Sequence, residues 1–207
     1  MHPALYRASQ FFAALKAGLP GWLGGLSARL PAADAALVDA ILPEDARRLF
    51  RQMPPNDRRH AIAVARTLRP AGYTGLAIMQ AALLHDVAKS IGQPIPHRVA
   101  IVLLEAFWPA ALVKLSELQI ANGKFSATGD DSSTGPFADS QLRAVPWWRR
   151  PFVVHAWHPQ IGAEWARQAG CDPLAVNLIL RHQDKLRVIA TEEDKLLAAL
   201  QWADNLN

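Results

Sequence analysis

Proline and glycine interrupt this chain at intervals of roughly ten to twenty residues, and between them apolar residues recur three and four apart. That spacing lines apolar side chains along one face of an α-helix. Alternating apolar and polar runs, the mark of a half-buried strand, are nearly absent. The pattern predicts helices over Pro3–Ala17, Ala32–Ile41, Glu44–Gln52, Asn56–Leu68, Thr74–Ser90, His97–Phe107 and Ala110–Ala121. Three more follow at Pro159–Ala169, Pro173–Arg181 and Glu192–Asn205, two of them with proline in the first turn, where its missing N–H costs nothing. Between the two groups, Asn122–Ser140 is rich in Gly, Ser and Asp and reads as a loop, and Pro146–Phe152 (PWWRRPF) is an aromatic and basic strip. The expected fold is an all-α bundle.

With 51% hydrophobic and 19% charged residues, 207 residues have ample material for one core, which excludes a disordered chain. Lys and Arg (22) exceed Asp and Glu (18) only slightly and are scattered, which argues against a nucleic-acid binder. The apolar start is broken by Arg7 and Lys16. The apolar run Val99–Val113 is broken by Glu105 and Pro109 and falls short of the roughly 20 residues a bilayer needs. Cys171 is the single cysteine, so no disulfide forms within the chain; a soluble, cytoplasmic protein is expected.

The chemistry gathers around histidines. His85-Asp86 ends the apolar run MQAALLHDVAKS, where burying a carboxylate is expensive unless a cation pairs with it. A hydrogen-bonded His–Asp pair at a helix end is the ordinary alternative. His60 lies near the start of the preceding predicted helix, and antiparallel packing of the two brings it to the same end as His85-Asp86. His158, beside Pro159 at a predicted helix start, and His182, at the end of the next helix, repeat that arrangement. Gly162 lacks a side chain and permits close packing opposite. Asp204 follows the buried stripe Leu196, Leu197 and Leu200, so it faces inward; a solvated chain end is the alternative. His155 lies three residues before His158, but a helix starting at Pro159 would exclude both from one face, so it reads as a supporting residue. Cys171 reads as an inert buried thiol.

The ordered set His60, His85-Asp86, His158, His182, Asp204 resembles the HD-domain superfamily of metal-dependent phosphohydrolases. AALLHDVAKS is similar to the family's Leu-His-Asp-(Ile/Val)-(Ala/Gly)-Lys stretch. His158-Pro-Gln-Ile-Gly162-Ala163 and Leu180-Arg-His182 resemble the two further histidine motifs of its dinuclear members. In order and spacing the chain is most similar to the HD-type hydrolases that split diadenosine tetraphosphate symmetrically. It departs from many members in carrying Gln183 after His182, where they have a second histidine, and in a long insertion. The resemblance implies an N-terminal helical extension over residues 1–53 and an HD domain over 54–207, with the insertion at about 91–152.

The resemblance also implies His60, His85, Asp86 and Asp204 around one ion and His158 and His182 around a second, with Asp86 shared. A donor set rich in imidazole suits Fe, Mn, Co, Ni or Zn. Lys89, three residues after Asp86, is placed to hold a phosphate oxygen, with Asp86 and Lys89 carrying the catalytic roles; Arg59, Arg98, Arg149 and Arg150 are weaker candidates. The expected substrate is a small phosphate ester or anhydride, a nucleotide or dinucleotide. A catalytically silent ligand-binding or sensor module and a di-iron oxygenase are the alternatives. The apolar helices of the insertion suit a lid, a pocket wall, a lipid-touching surface or a homodimer interface, and the sequence leaves these open.

Overall fold

The computed structural model describes residues 30–91, 95–120, 123–125 and 139–207. The helix expected over Pro3–Ala17, and residues 122 and 126–138 of the expected loop, lie outside them. The fold is all-α: ten α-helices and one short 3₁₀ turn among the described residues, with a single small hairpin. The helices are α1 (Ala32–Ile41), α2 (Glu44–Gln52), α3 (Pro55–Leu68), α4 (Leu76–Leu84), α5 (Ile95–Phe107) and α6 (Pro109–Ser116), then α7 (Asp139–Ala144), α8 (Arg150–Gln168), α9 (Pro173–Arg181) and α10 (Glu192–Leu206). The 3₁₀ turn, Val87–Ile91, follows α4.

Helices α3, α4, α8, α9 and α10 form the bundle that carries the site. Along α3, Ala61, Ala65 and Leu68 with Ile62 and Val64 make the buried stripe that helical spacing anticipates. They meet Ile78, Leu83 and Leu84 of α4, Leu178 and Ile179 of α9, and Leu197 and Leu200 of α10 in one core. Each fully buried Leu or Ile there contributes about 1.5–3 kcal/mol relative to exposure. Val38, Leu42, Ala46 and Phe50 of the α1–α2 segment enter the same core. Buried Gln80 fastens the layers, donating to the Ile41 carbonyl and accepting from the Asp172 backbone N–H.

Local chemistry fixes the last two helices. Asp172 caps α9 by accepting from Leu174 N–H (2.8 Å), with Pro173 at the first helical position. Thr191 and Asp194 form a reciprocal capping box at the start of α10. Arg181, the last residue of α9, bridges to Glu193 (2.6 Å) and Asp194 (2.9 Å), tying the end of α9 to the start of α10.

Three sequence expectations are corrected. The helix expected over Thr74–Ser90 stops at Leu84, and the chain passes His85-Asp86 into the 3₁₀ turn, with the His85 ring donating to the Ala82 carbonyl of the last turn. The helix expected to begin at Pro159 begins at Arg150 and runs through that proline. Packing of Val153, Val154, Trp157 and Ile161 against Leu142, Val145 and Ala88 outweighs the hydrogen bond that proline removes. The helix expected over Ala110–Ala121 ends at Ser116, whose hydroxyl bonds back to the carbonyls of Leu112 and Val113. Leu118–Ile120, the end of that expected helix, instead pairs antiparallel with Gly123–Phe125, the start of the expected loop.

The α5–α6 segment and the residues just after it are fastened to the N-terminal half of α8. Arg149 donates to the carbonyls of Leu115 and Glu117, Trp157 Nε1 donates to that of Ser116, and Phe152 packs with Ile101 and Leu112. Among the described residues no helix is long and apolar enough to cross a membrane.

Candidate metal centre

Every one of the six side chains singled out from the sequence as ligands reaches one small volume. His60 Nε2 lies 2.9 Å from Asp204 Oδ1, and His85 Nε2 is 3.4 Å from that oxygen and 3.7 Å from Asp86 Oδ2. On the other side, Asp86 Oδ1 is 3.6 Å from His158 Nε2 and 3.8 Å from His182 Nε2, and the two nitrogens are 3.3 Å apart. Two groups emerge, His60 with His85 and Asp86, and Asp86 with His158 and His182; within each, the donor atoms all lie within 4.8 Å of one another. Asp86 belongs to both.

Backbone carbonyls aim the rings. His85, His158 and His182 each donate Nδ1–H to the carbonyl three residues earlier: Ala82 (3.0 Å), His155 (2.8 Å) and Ile179 (2.7 Å). In each case the helix frees that carbonyl. Ala82 and Ile179 lie in the last turns of α4 and α9, where carbonyls lack helical partners. In the middle of α8 the same freedom comes from Pro159, whose missing N–H would have bonded the His155 carbonyl. Pro159 thus helps to orient His158, a role the sequence reading missed although the His-Pro dipeptide was visible.

With Nδ1 carrying the proton, each Nε2 presents a lone pair to the cluster. Burial, together with the charge of Lys89, pushes His158 down to about 3; burial and the neighbouring His85 push His182 down to about 4. Both are therefore neutral at physiological pH. Burial presses on His85 as well, but the carboxylates of Asp86 and Asp204 outweigh it and hold its pKa above the ordinary value. Asp86 and Asp204 resist their own burial and stay well below the usual carboxylate range, held there by His85 and Lys89 in the first case and by His60 and His85 in the second.

On the His158–His182 side the result is acceptors facing acceptors. His85 Nε2 and Asp86 Oδ1 are buried and have no hydrogen-bond partner, and no proton stands between the facing nitrogens of His158 and His182. Ligands of one small cation stand about 3–4 Å apart, as these atoms do. The donor set and its orphaned atoms fit a metal, so this buried His/Asp cluster could hold one.

Exposure grades across the cluster. The side chains of His85 and His158 are 1% exposed, whereas Lys89, His60 and Asp204 are 31%, 28% and 36% exposed and mark the open edge. Lys89 Nζ pairs with Asp86 Oδ2 at 2.7 Å. Gln201 of α10 donates to the carbonyls of His182 (2.9 Å) and Asp184 (2.8 Å) and so fixes the turn that carries His182. Gln183 donates to His158 Nε2 at 3.2 Å.

His155 shares α8 with His158, contrary to the helix start expected at Pro159. Its ring nevertheless points away to Glu105 (2.9 Å), and its contribution to the cluster is its carbonyl. Arg59 bonds the Pro55 carbonyl and Asn56, Arg149 the carbonyls of Leu115 and Glu117, and Arg150 those of Val145 and Arg143, so these three arginines serve local structure. The side chain of Arg98 lies outside the described residues. Burial pushes the Cys171 thiol up to about 11, which leaves it protonated and unreactive. Gly162 approaches the 3₁₀ turn and α9, yet an added Cβ would stand at ordinary contact distance, 3.4 Å from Val87 and 3.5 Å from Ile179.

No protein-family model, no curated protein and no solved structure matches the chain, so the functional reading rests on this geometry and on the motifs.

Proposed function

We propose that this chain is a metal-dependent phosphohydrolase of the HD type, cleaving a phosphate ester or anhydride of a nucleotide or dinucleotide. The observation that carries the reading is the meeting of three backbone-aimed imidazoles with the buried Asp86 carboxylate, which Lys89 pairs at the edge. His60, His85, Asp86 and Asp204 would hold one ion, and Asp86, His158 and His182 a second, drawn from Fe, Mn, Co, Ni or Zn. Bound there, two such ions supply an activated water and neutralise charge on a phosphoryl oxygen.

The chain's own residues do the rest. Asp86, with an oxygen toward each histidine group, couples the two halves. Lys89, half out of the protein and 2.7 Å from Asp86, would turn its ammonium to a phosphate oxygen at the open edge. The buried His85, His158 and His182 keep water out behind the reacting group. The reading includes a small-molecule substrate rather than a nucleic acid, and a cytoplasmic location. A homodimer through the insertion is part of the same proposal.

The test is purified protein loaded with each of the five metals and assayed against a panel of nucleotides and dinucleotides. Turnover that disappears in Asp86→Ala supports the reading. Metal uptake without product from any substrate would overturn the enzyme and favour a silent ligand-binding module.

A further inference from the structure

A single lone pair on His158 has two claimants, and we infer that Gln183 is a positioning residue whose amide competes with the second ion for that nitrogen and so sets how tightly the ion binds. The inference deepens the two-ion reading above and rests on it.

His158 donates Nδ1–H to the His155 carbonyl, which leaves Nε2 one lone pair to offer. The Gln183 amide N–H already takes it, at 3.2 Å. A cation ligated by His158 needs the same lone pair, so the hydrogen bond and the ligand bond exclude each other. In the other half, His85 Nε2 is without a hydrogen-bond partner, and His60 Nε2 donates to Asp204 Oδ1 at 2.9 Å, so what stands against the ion there is a proton shared with a carboxylate that is itself a fitting ligand. The first ion therefore replaces a proton held between two of its own ligands, whereas the second must displace the N–H of an amide outside its ligand set.

Gln183 is built to yield. It follows buried His182 but is itself exposed. The turn beneath it is held by Gln201 through the carbonyls of His182 and Asp184, and by the bond from Asp184 N–H to the Arg181 carbonyl. Its backbone is thus fixed while its side chain can rotate away without unpacking the core. The displaced amide would then stand at the rim beside His158, with its N–H groups available to an anionic oxygen.

Removing one neutral hydrogen bond changes an equilibrium by about fivefold. Cobalt(II) titrations of the full chain, followed by calorimetry and by visible absorption, are to be run on wild type, Gln183→Ala and Gln183→Met; the methionine keeps the length and lacks the donor. Two ions bind in all three forms, the second about fivefold more tightly in both variants, the first with unchanged affinity, and the melting temperature hardly moves. Equal second-ion affinity in wild type and Gln183→Ala overturns the inference while leaving two ions in place. Tightening in the alanine but not the methionine variant also overturns it, since bulk and not the hydrogen bond would then be responsible. Saturation at one ion in every form overturns the two-ion reading and this inference together.

Discussion

The two halves of the histidine cluster are built from the same side chains and differ in charge. On the His60–His85 side two carboxylates, Asp86 and Asp204, face the imidazoles, and they hold the His85 pKa up despite complete burial. On the His158–His182 side only Asp86 is present, and burial pulls the two pKa values down to about 3 and about 4. The difference teaches that burial alone does not decide the state of a histidine: the number of nearby carboxylates does. It also ranks the two groups as cation sites, with the carboxylate-rich one stronger.

The largest effect is expected where the halves join. Asp86→Ala removes the only carboxylate both share, and metal analysis after dialysis should find neither ion retained. The comparison itself is broken or kept by a pair of variants. Asp204→Asn should weaken the first ion by at least about 100-fold, the upper end of what loss of even a supporting group costs, and spare the second; His158→Ala should do the reverse. Calorimetric titration separates the outcomes, and a loss of both ions in either variant would show that the halves do not act separately.

Acid should act on the halves in opposite directions in the metal-free protein. The unfolded chain protonates residues 158 and 182 near 6.5, the folded chain only near 3 and 4, so their contribution to stability is complete above pH 6.5 and declines as pH falls toward 4. His85, with its raised pKa, stabilises the fold once protonated and offsets part of the decline. Urea titrations across that window should show a falling midpoint in wild type and a steeper fall in Asp204→Asn, where His85 loses a partner.

Smaller changes probe the scaffold. Pro159→Ala restores an N–H that competes with His158 for the His155 carbonyl, and second-ion affinity should fall by about tenfold while the helix itself melts no earlier. Gly162→Ala should be the mildest: the new methyl makes ordinary contacts, and alanine's better helix propensity favours the fold by up to about 1 kcal/mol, read as a slightly raised melting temperature.

Much of this was legible in the residues. The stripe of α3, the boundaries of α1, α2, α9 and nearly those of α10 follow from apolar spacing and from Pro173, all local signals; the Thr191–Asp194 box is a further local signal that the spacing argument passed over. Helix position places His60 with His85-Asp86 and His158 with His182 at shared hairpin ends; that these and Asp204 meet in one site is what the resemblance implies. Less legible were features in which a side chain or a distant surface overrides local preference. The end of α4 before His85, the end of α6 at Ser116 and the passage of α8 through Pro159 are of that kind.

The sequence by itself determined an all-α chain whose imidazoles and acids recur where helices begin and end, because helical periodicity and capping act over a few residues. Tertiary structure alone decided which nitrogen of each ring faces the cluster, that Asp86 lies between both histidine groups, and that Gln183 reaches His158. Those outcomes depend on carbonyls freed by helix ends and by a proline, and on helices packed from separate stretches of chain. Hydrogen bonds of that reach are set by position in space, which no local pattern of residues encodes.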